Sequence, residues 1–360
     1  MHVHATPTDG AAWLDTKTSA EYRNIVEALR SSTRAVADRR EACLLVPWFD
    51  TLCAGNRCTD TWTDAPKVEA LAAALEALPG WGDGSNHLVF DMSSAHAPTL
   101  PVNKAVYAVT SFWAAGSSFR HGFDQPVPLW NQRWQTENTP ADAAGRRRTD
   151  RPLLLSFKGQ RMFWCGSVLC APADVNRAVH AGQLRELGSY EDGWVRNRLP
   201  ELHNGVDIVV ATECAREMLD RAMCDGDCHA RCDADGRAYD ALDFRELLRN
   251  STFGLVLPGI TPMSYRLAET LSYGAVPVIA SDFIKLPFAT LLDWHAFSIR
   301  ISESQLLSLP ELLRALPRAR VASLQQNAVL AYERCFATPG RIALCAVEQL
   351  EVSMFGRLVA

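Results

Sequence analysis

The chain has 360 residues, 48% hydrophobic and 21% charged, with 36 Lys and Arg against 41 Asp and Glu and a net charge of −5. This composition excludes disorder, collagen and coiled coil. With no basic run longer than Arg146-Arg147-Arg148 it also argues against nucleic acid as a partner. A chain this long buries roughly 75% of its unfolded surface, is expected to divide into two domains, and does not depend on metals or disulfides for stability.

In chain order, a helix is expected from Ser19, its N-cap, to Ala42, with Ile25, Leu29, Ala35 and Val36 apolar among charges. A strand at Cys43–Phe49, a helix at Val68–Leu78 closed by Pro79-Gly80, and a strand at His87–Met92 follow. Next come a helix near Val102–Ala115 and a short strand at Gln125–Leu129. Apolar residues nearly vanish between Asn131 and Asp150, which marks a linker and the domain boundary. Beyond it the alternation resumes: strand Leu153–Phe157, helix Ala173–Leu187, strand Val206–Ala211, a Cys- and Asp-rich loop, helix Tyr239–Arg249, strand Phe253–Leu257, helix Ser264–Tyr273 and strand Ala275–Ala280. Strands alternating with helices at these lengths predict parallel sheets covered on both faces. Two such sheets in succession predict a cleft, with ligands beyond the carboxyl ends of the strands.

No run of about 18 apolar residues occurs, and Met1–Pro7 lacks the charged start and apolar core of a secretory signal. Five of the 11 cysteines fall in two tight groups, Cys53/Cys58 and Cys224/Cys228/Cys232, which suit disulfides or, for the second group, zinc. The Asp225-Gly226-Asp227 and Asp233-Ala234-Asp235 pairs read as solvated loop rather than a cation site. Together with the sequon Asn250-Ser251-Thr252, the cysteines lead us to expect an anchor or signal upstream of this sequence.

The stretch Pro258-Gly259-Ile260-Thr261-Pro262-Met263-Ser264-Tyr265-Arg266-Leu267-Ala268-Glu269 sits between two apolar strands. A Pro-Gly turn leading into a Ser-led helix supplies free N–H groups at a positive helix end. Arg266 can reach a phosphate there, and Glu269 on the same face can accept from a ribose diol. A second basic turn, Ser156-Phe157-Lys158-Gly159-Gln160-Arg161, aims Lys158 and Arg161 at the same point, its glycine permitting close approach. Two cationic strand ends suit a diphosphate. Candidates for a general base are Asp91, His96 and Asp124, and the tryptophans of the first half can stack sugar rings or fill the core.

The run from Asp240 to Phe288, with Pro258-Gly259, Ser264-Tyr265-Arg266, Glu269, Gly274–Ile279 and Leu286-Pro287-Phe288, resembles the exostosin family of glycosyltransferases. The likeness extends through Leu291–Trp294 and upstream through Asn86–Phe90, Phe123–Leu129, Ser156–Arg161 and Asn204–Val209, spanning about residues 40–335, and is strongest to the first catalytic domain of heparan sulfate co-polymerases. The turn Ile260-Thr261-Pro262-Met263 instead is similar to the branch acting on plant cell-wall polysaccharides, which leaves GlcA, Gal and Xyl open as the donor sugar.

This resemblance implies a GT-B fold of two Rossmann-like domains, with an acceptor-side domain at residues 1–140, a nucleotide-sugar domain at 141–335 and a helical tail at 336–360. It implies inverting, metal-independent transfer from a UDP-sugar to a glycan or glycoprotein in the Golgi lumen. The usual membrane anchor and the second catalytic domain are not in this sequence. Arg161 and Arg266 would hold the diphosphate, with Lys158, Gly159, Pro258, Gly259 and Ser264 around it, and Glu269 the ribose. A Cys214–Cys232 disulfide, a glycan on Asn250 and a homologous exostosin subunit as partner are further implications. The alternative is an inactive exostosin-like protein that binds carbohydrate or stabilises a partner.

Overall fold

The computed structural model describes residues 2–6, 18–47, 49–52, 65–92, 104–110, 119–130, 145–161, 194–214, 227–258, 263–282 and 284–356. In chain order the elements are β1 Val3–Thr6, α1 Ala20–Arg30, β2 Leu44–Pro47, α2 Ala65–Glu76, β3 Leu88–Asp91, β4 Val106–Val109 and β5 Gln125–Pro126. Then come β6 Leu153–Arg161, α3 Trp194–Asn197, β7 Ile208–Cys214, α4 Asp227–Asp240, α5 Phe244–Arg249, β8 Ser251–Val256, α6 Arg266–Ser272, β9 Val276–Ala280 and β10 Ile299–Ile301. The chain goes on through α7 Leu309–Arg314, α8 Arg318–Ala331, a π-helical turn Tyr332–Phe336 and α9 Pro339–Phe355. Two compact units result: Met1–Glu137 with Phe283–Trp294 and Leu330–Ala360, and Asn138–Asp282 with His295–Val329. The fold is α/β, and every described strand pairing is parallel.

In the first unit β1 pairs with β2, and β3, β4 and β5 form a second sheet. The isolated bridge Leu45↔His87 joins the two. Phe49, Leu71, Leu75, Trp81, Val89 and Tyr107 fill the core, each large apolar side chain contributing about 1.5–3 kcal/mol on burial. The expected helix at Val102–Ala115 is instead the strand β4. Val106-Tyr107-Ala108-Val109 is buried throughout between β3 and β5, and such an apolar run has no periodicity to separate strand from helix.

Ser19 caps α1 as expected, its Oγ accepting from Tyr22 N, but the helix ends at Arg30 rather than Ala42. Ser32 donates its hydroxyl to the Leu29 carbonyl, a local bond that competes with the helical ladder, and Ala35 pairs with Val3. α9 lies against α1: a Cβ on Gly340 would stand 2.6 Å from Ala28 Cβ, and Asn24 Oδ1 accepts from Gly340 N at 2.9 Å. Cys335 and Cys345 form a disulfide that ties the π turn to α9. This pair belongs to neither cysteine group singled out in the sequence. Cys53, Cys58 and Cys224 lie outside the described residues, as does the expected helix at Ala173–Leu187.

In the second unit the strand order is β10-β9-β8-β6-β7, around a core that includes Leu155, Phe157, Ile208, Phe253, Val276 and Leu324. Two expectations change here. Lys158-Gly159-Gln160-Arg161 is not a turn but the end of β6, because β7 offers a continuous ladder from Leu155↔Ile208 to Arg161↔Cys214. From Asp227 on, the Cys- and Asp-rich loop is α4. The helix expected at Tyr239–Arg249 is broken at 241–243, where Asp243 caps α5 by accepting from Glu246 N.

His87, 2% exposed, packs on the Trp81 ring at 4.4 Å, and its Nδ1 has no partner among the described residues. Burial lowers its pKa from 6.5 to about 4. The folded state therefore resists a proton that the unfolded chain accepts. The stability this group confers is full above pH 6.5 and falls away as pH drops toward 4, by about 3 kcal/mol across that window. Denaturant unfolding of His87→Phe from pH 7 to 4 is expected to show a flatter pH dependence than the parent, and an unchanged slope would contradict the assignment.

Candidate functional site

The second unit contains one reversal of strand order. From β6 the chain moves outward to β7, then returns across β6 to β8 and continues through β9 to β10. β6 and β8 therefore flank a topological switch point, the place where an open parallel sheet binds ligands beyond its strand ends. Their ladder runs Leu153↔Ser251, Leu155↔Phe253 and Ser156↔Gly254 and then stops. Above Ser156, β6 pairs with β7 alone, while β8 goes on with β9 to Val256↔Ile279. The two strands thus stop pairing toward their carboxyl ends, the place where a sheet of this kind offers its ligand crevice.

α6 is set close over β8 by a missing side chain. Thr270 Cγ2 stands 2.6 Å from where a Cβ of Gly254 would be, so glycine is needed for this approach. Arg266 opens the helix, its backbone N–H donating to Ser264 Oγ at 3.3 Å. The Arg266 guanidinium pairs with Glu269, which is 1% exposed, and its Cζ lies 4.4 Å from the Phe244 ring centroid. Arg266 Nη2 comes within 3.5 Å of the position a Cβ on Gly159 would take. Close approach at Gly159, expected from the sequence, thus belongs to the arginine arriving from α6. The strand end of the second basic motif and the helix start of the first meet at one place.

Lys158 faces elsewhere. Its ammonium donates to the Leu242 carbonyl at 2.6 Å and lies 4.1 Å from the Tyr239 ring centroid. Burial holds its pKa below the ordinary lysine value, and Arg266 adds to that, against the acidic Asp240, Asp243 and Glu213. The backbone of Arg161 ends β6, and its side chain lies outside the description, as do Gly259 and His96. Cys214 closes β7 and Cys232 falls within α4, both likewise without described side chains. Asn250 ends α5, its Nδ2 donating to the Glu246 carbonyl and its Oδ1 accepting from Arg148.

One residue that sequence reasoning missed stands at the crevice. Arg196, on α3, donates from Nη1 to the Gln160 carbonyl at 2.6 Å and from Nε to the Pro258 carbonyl at 2.7 Å. Burial, and then the charge of Arg266, bring its pKa down to about 10. No local pattern marks it, because its partners are 36 and 62 positions away.

In the first unit, Asp91 is buried at the end of β3, opposite Val109 of β4. Asp124 accepts from Tyr107 N, Arg120 N, Arg120 Nε and Arg120 Nη2 at 2.7–3.0 Å, clamping the segment before β5 to β4. Its carboxylate is 1% exposed and its lone pairs are occupied, the arrangement of a structural brace. Removing one partner of such a pair leaves an uncompensated buried charge. Asp124→Ala is expected to cost about 3 kcal/mol or more in urea unfolding. A variant with unchanged stability and lost activity would instead identify Asp124 as a reacting group.

The Exostosin GT47 domain family matches residues 3–316. Exostosin-1 of Drosophila melanogaster is 32% identical over 346 residues, covering 92% of this chain and 40% of that protein. Exostosin-1c of Danio rerio is 30% identical over 352 residues, covering 95% and 42%. The chain thus spans about 40% of the length of the curated relatives it matches. Among solved structures, Anabaena Alr3699/HepE in complex with UDP is similar at 11% identity and TM-score 0.41, with 98% of this chain and 100% of that one covered. By the extent of the family match, the chain belongs to the exostosin GT47 family of glycosyltransferases.

Proposed function

We propose that the chain is an inverting, exostosin-type glycosyltransferase domain. It takes a UDP-sugar at the β6–β8 crevice and passes a GlcA, Gal or Xyl unit to a glycan or glycoprotein acceptor. Two parallel α/β units in one chain are the parts from which a GT-B transferase is built. The observation that carries the reading is Arg266, brought by α6 to the switch point beside Gly159. There a planar fork of donors can meet a pyrophosphate and stabilise the charge that develops on the leaving nucleotide. Guanidinium charge and backbone N–H groups supply that stabilisation in our reading, so no divalent metal is required.

Glu269 serves the site twice in this scheme. Its ion pair orients Arg266 in the free protein, and in our reading its carboxylate is the acceptor for a ribose hydroxyl. With Asp124 occupied by Arg120, Asp91 and His96 stand as the candidate bases on the acceptor side. The Cys335–Cys345 disulfide supports assembly in an oxidising compartment, in keeping with the Golgi lumen, and among the described residues no helix is long and apolar enough to cross a membrane.

The test is thermal unfolding with UDP in the presence of a chelator. At about 100 times its Kd, UDP is expected to stabilise by about 2.7 kcal/mol, and Arg266→Ala to abolish the shift. Gly159→Ala, which sets a methyl group 3.5 Å from Arg266 Nη2 and 2.9 Å from Phe157 Cζ, is expected to weaken UDP binding about tenfold, or 1.4 kcal/mol. No shift for the parent protein, or a shift that needs metal, overturns the reading. UDP binding with no hydrolysis or transfer across a panel of UDP-sugars selects the inactive, partner-stabilising alternative.

A further inference from the structure

We propose that Arg196 is a positioning residue of the donor site, its guanidinium stapling the two lips of the crevice where β6 and β8 part. The assignment rests on the donor reading above. Beyond Ser156↔Gly254 the strands share no ladder pair, though β6 continues to Arg161 and β8 to Val256. Over that interval Arg196 is the described group that joins them, through the Gln160 carbonyl on β6 and the Pro258 carbonyl just past β8. Each carbonyl lies at the root of a segment of the candidate site. Gln160 precedes Arg161, and Pro258 precedes in sequence the segment that reaches Ser264 and Arg266. One planar guanidinium therefore bridges these two segments.

Two further features fit this task. The Arg196 Cζ stands 5.7 Å from the centroid of the Phe157 ring, the same ring that packs under Gly159, so the staple is seated on the floor of the crevice. It also ends on carbonyl dipoles rather than a carboxylate. Among the described residues Glu269 pairs with Arg266, and Arg196 takes part in no ion pair. Arg196 and Arg266 thus bring two guanidinium groups to the crevice, the second paired with Glu269, while Lys158 beside them has Asp240, Asp243 and Glu213 near it. Two such forks of donors suit the two phosphates of a nucleoside diphosphate more than a monophosphate.

Lysine cannot replace this group, because a compact ammonium on a single-point stem does not span two carbonyls held by a planar fork. The experiment compares the parent with Arg196→Lys and Arg196→Gln, measuring melting temperature and, by calorimetry, the Kd of UDP and of UMP. In both variants the UDP Kd is expected to rise at least tenfold, the scale of loss for a misplaced binding group, while the UMP Kd rises less than threefold and the fold persists. Equal weakening of UDP and UMP, parent-like UDP affinity in Arg196→Lys, or failure of both variants to fold overturns the assignment. A parent protein that binds neither nucleotide fails the donor reading itself. A parent that binds UDP, with variants that match it, fails the staple alone.

Discussion

The separation of two neighbouring strands governs the second unit. Parallel strands gain their hydrogen bonds only while they run side by side, and β6 and β8 stop doing so after Ser156↔Gly254. β6 keeps its ladder with β7 and β8 its ladder with β9, but above the break the flanks that face each other share no ladder pair. Part of that lost pairing is made good by Arg196, which donates to the Gln160 and Pro258 carbonyls. What remains is to bring charge to the crevice, and the absence of side chains at Gly254 and Gly159 does this. The first lets α6 settle on β8, and the second leaves room for the guanidinium that α6 delivers.

The chemistry of that place is a balance of buried charge. Arg266 is satisfied by Glu269 and backed by Phe244, Lys158 is drawn off to the Leu242 carbonyl and the Tyr239 ring, and Arg196 is held by carbonyl oxygens. Three cations stand close enough for Arg266 to disfavour the charged forms of both Lys158 and Arg196. At Lys158 the acidic Asp240, Asp243 and Glu213 offset that repulsion, and on the donor reading proposed above a dianionic ligand relieves the rest.

Much of this was legible in the sequence, and the parts that were not share a cause. The Arg266–Glu269 pair could be read because a three-residue helix spacing is a local pattern, whereas the start of the helix could not: α6 begins at Arg266, after Tyr265, and not at Ser264. The parallel α/β class could be read because apolar strands alternate with helices. The strand β4 was read as a helix because a run buried on both faces carries no period. The end of β6 was read as a turn because Lys-Gly-Gln-Arg is polar, and only the seven-residue ladder with β7 makes it extended. Arg196 and the brace at Asp124 depend on partners brought together by the fold. The Cys335–Cys345 pair spans only ten positions, but Pro339-Gly340 stands between the two cysteines, and nothing in the local pattern shows that they meet.

The lodging of α9 against α1 has a consequence for biogenesis. The place over Ala28 and Asn24 that receives Gly340 stays empty until the ribosome has passed Gly340, well after α1 has emerged. At translation speeds of about 5–20 residues per second, the interval between emergence of the two helices is roughly 15–60 s. The unit that starts first is the last to be finished, and the nascent chain must keep the apolar face of α1, with Tyr22, Ile25 and Leu29, from premature association while the entire second unit is being synthesised.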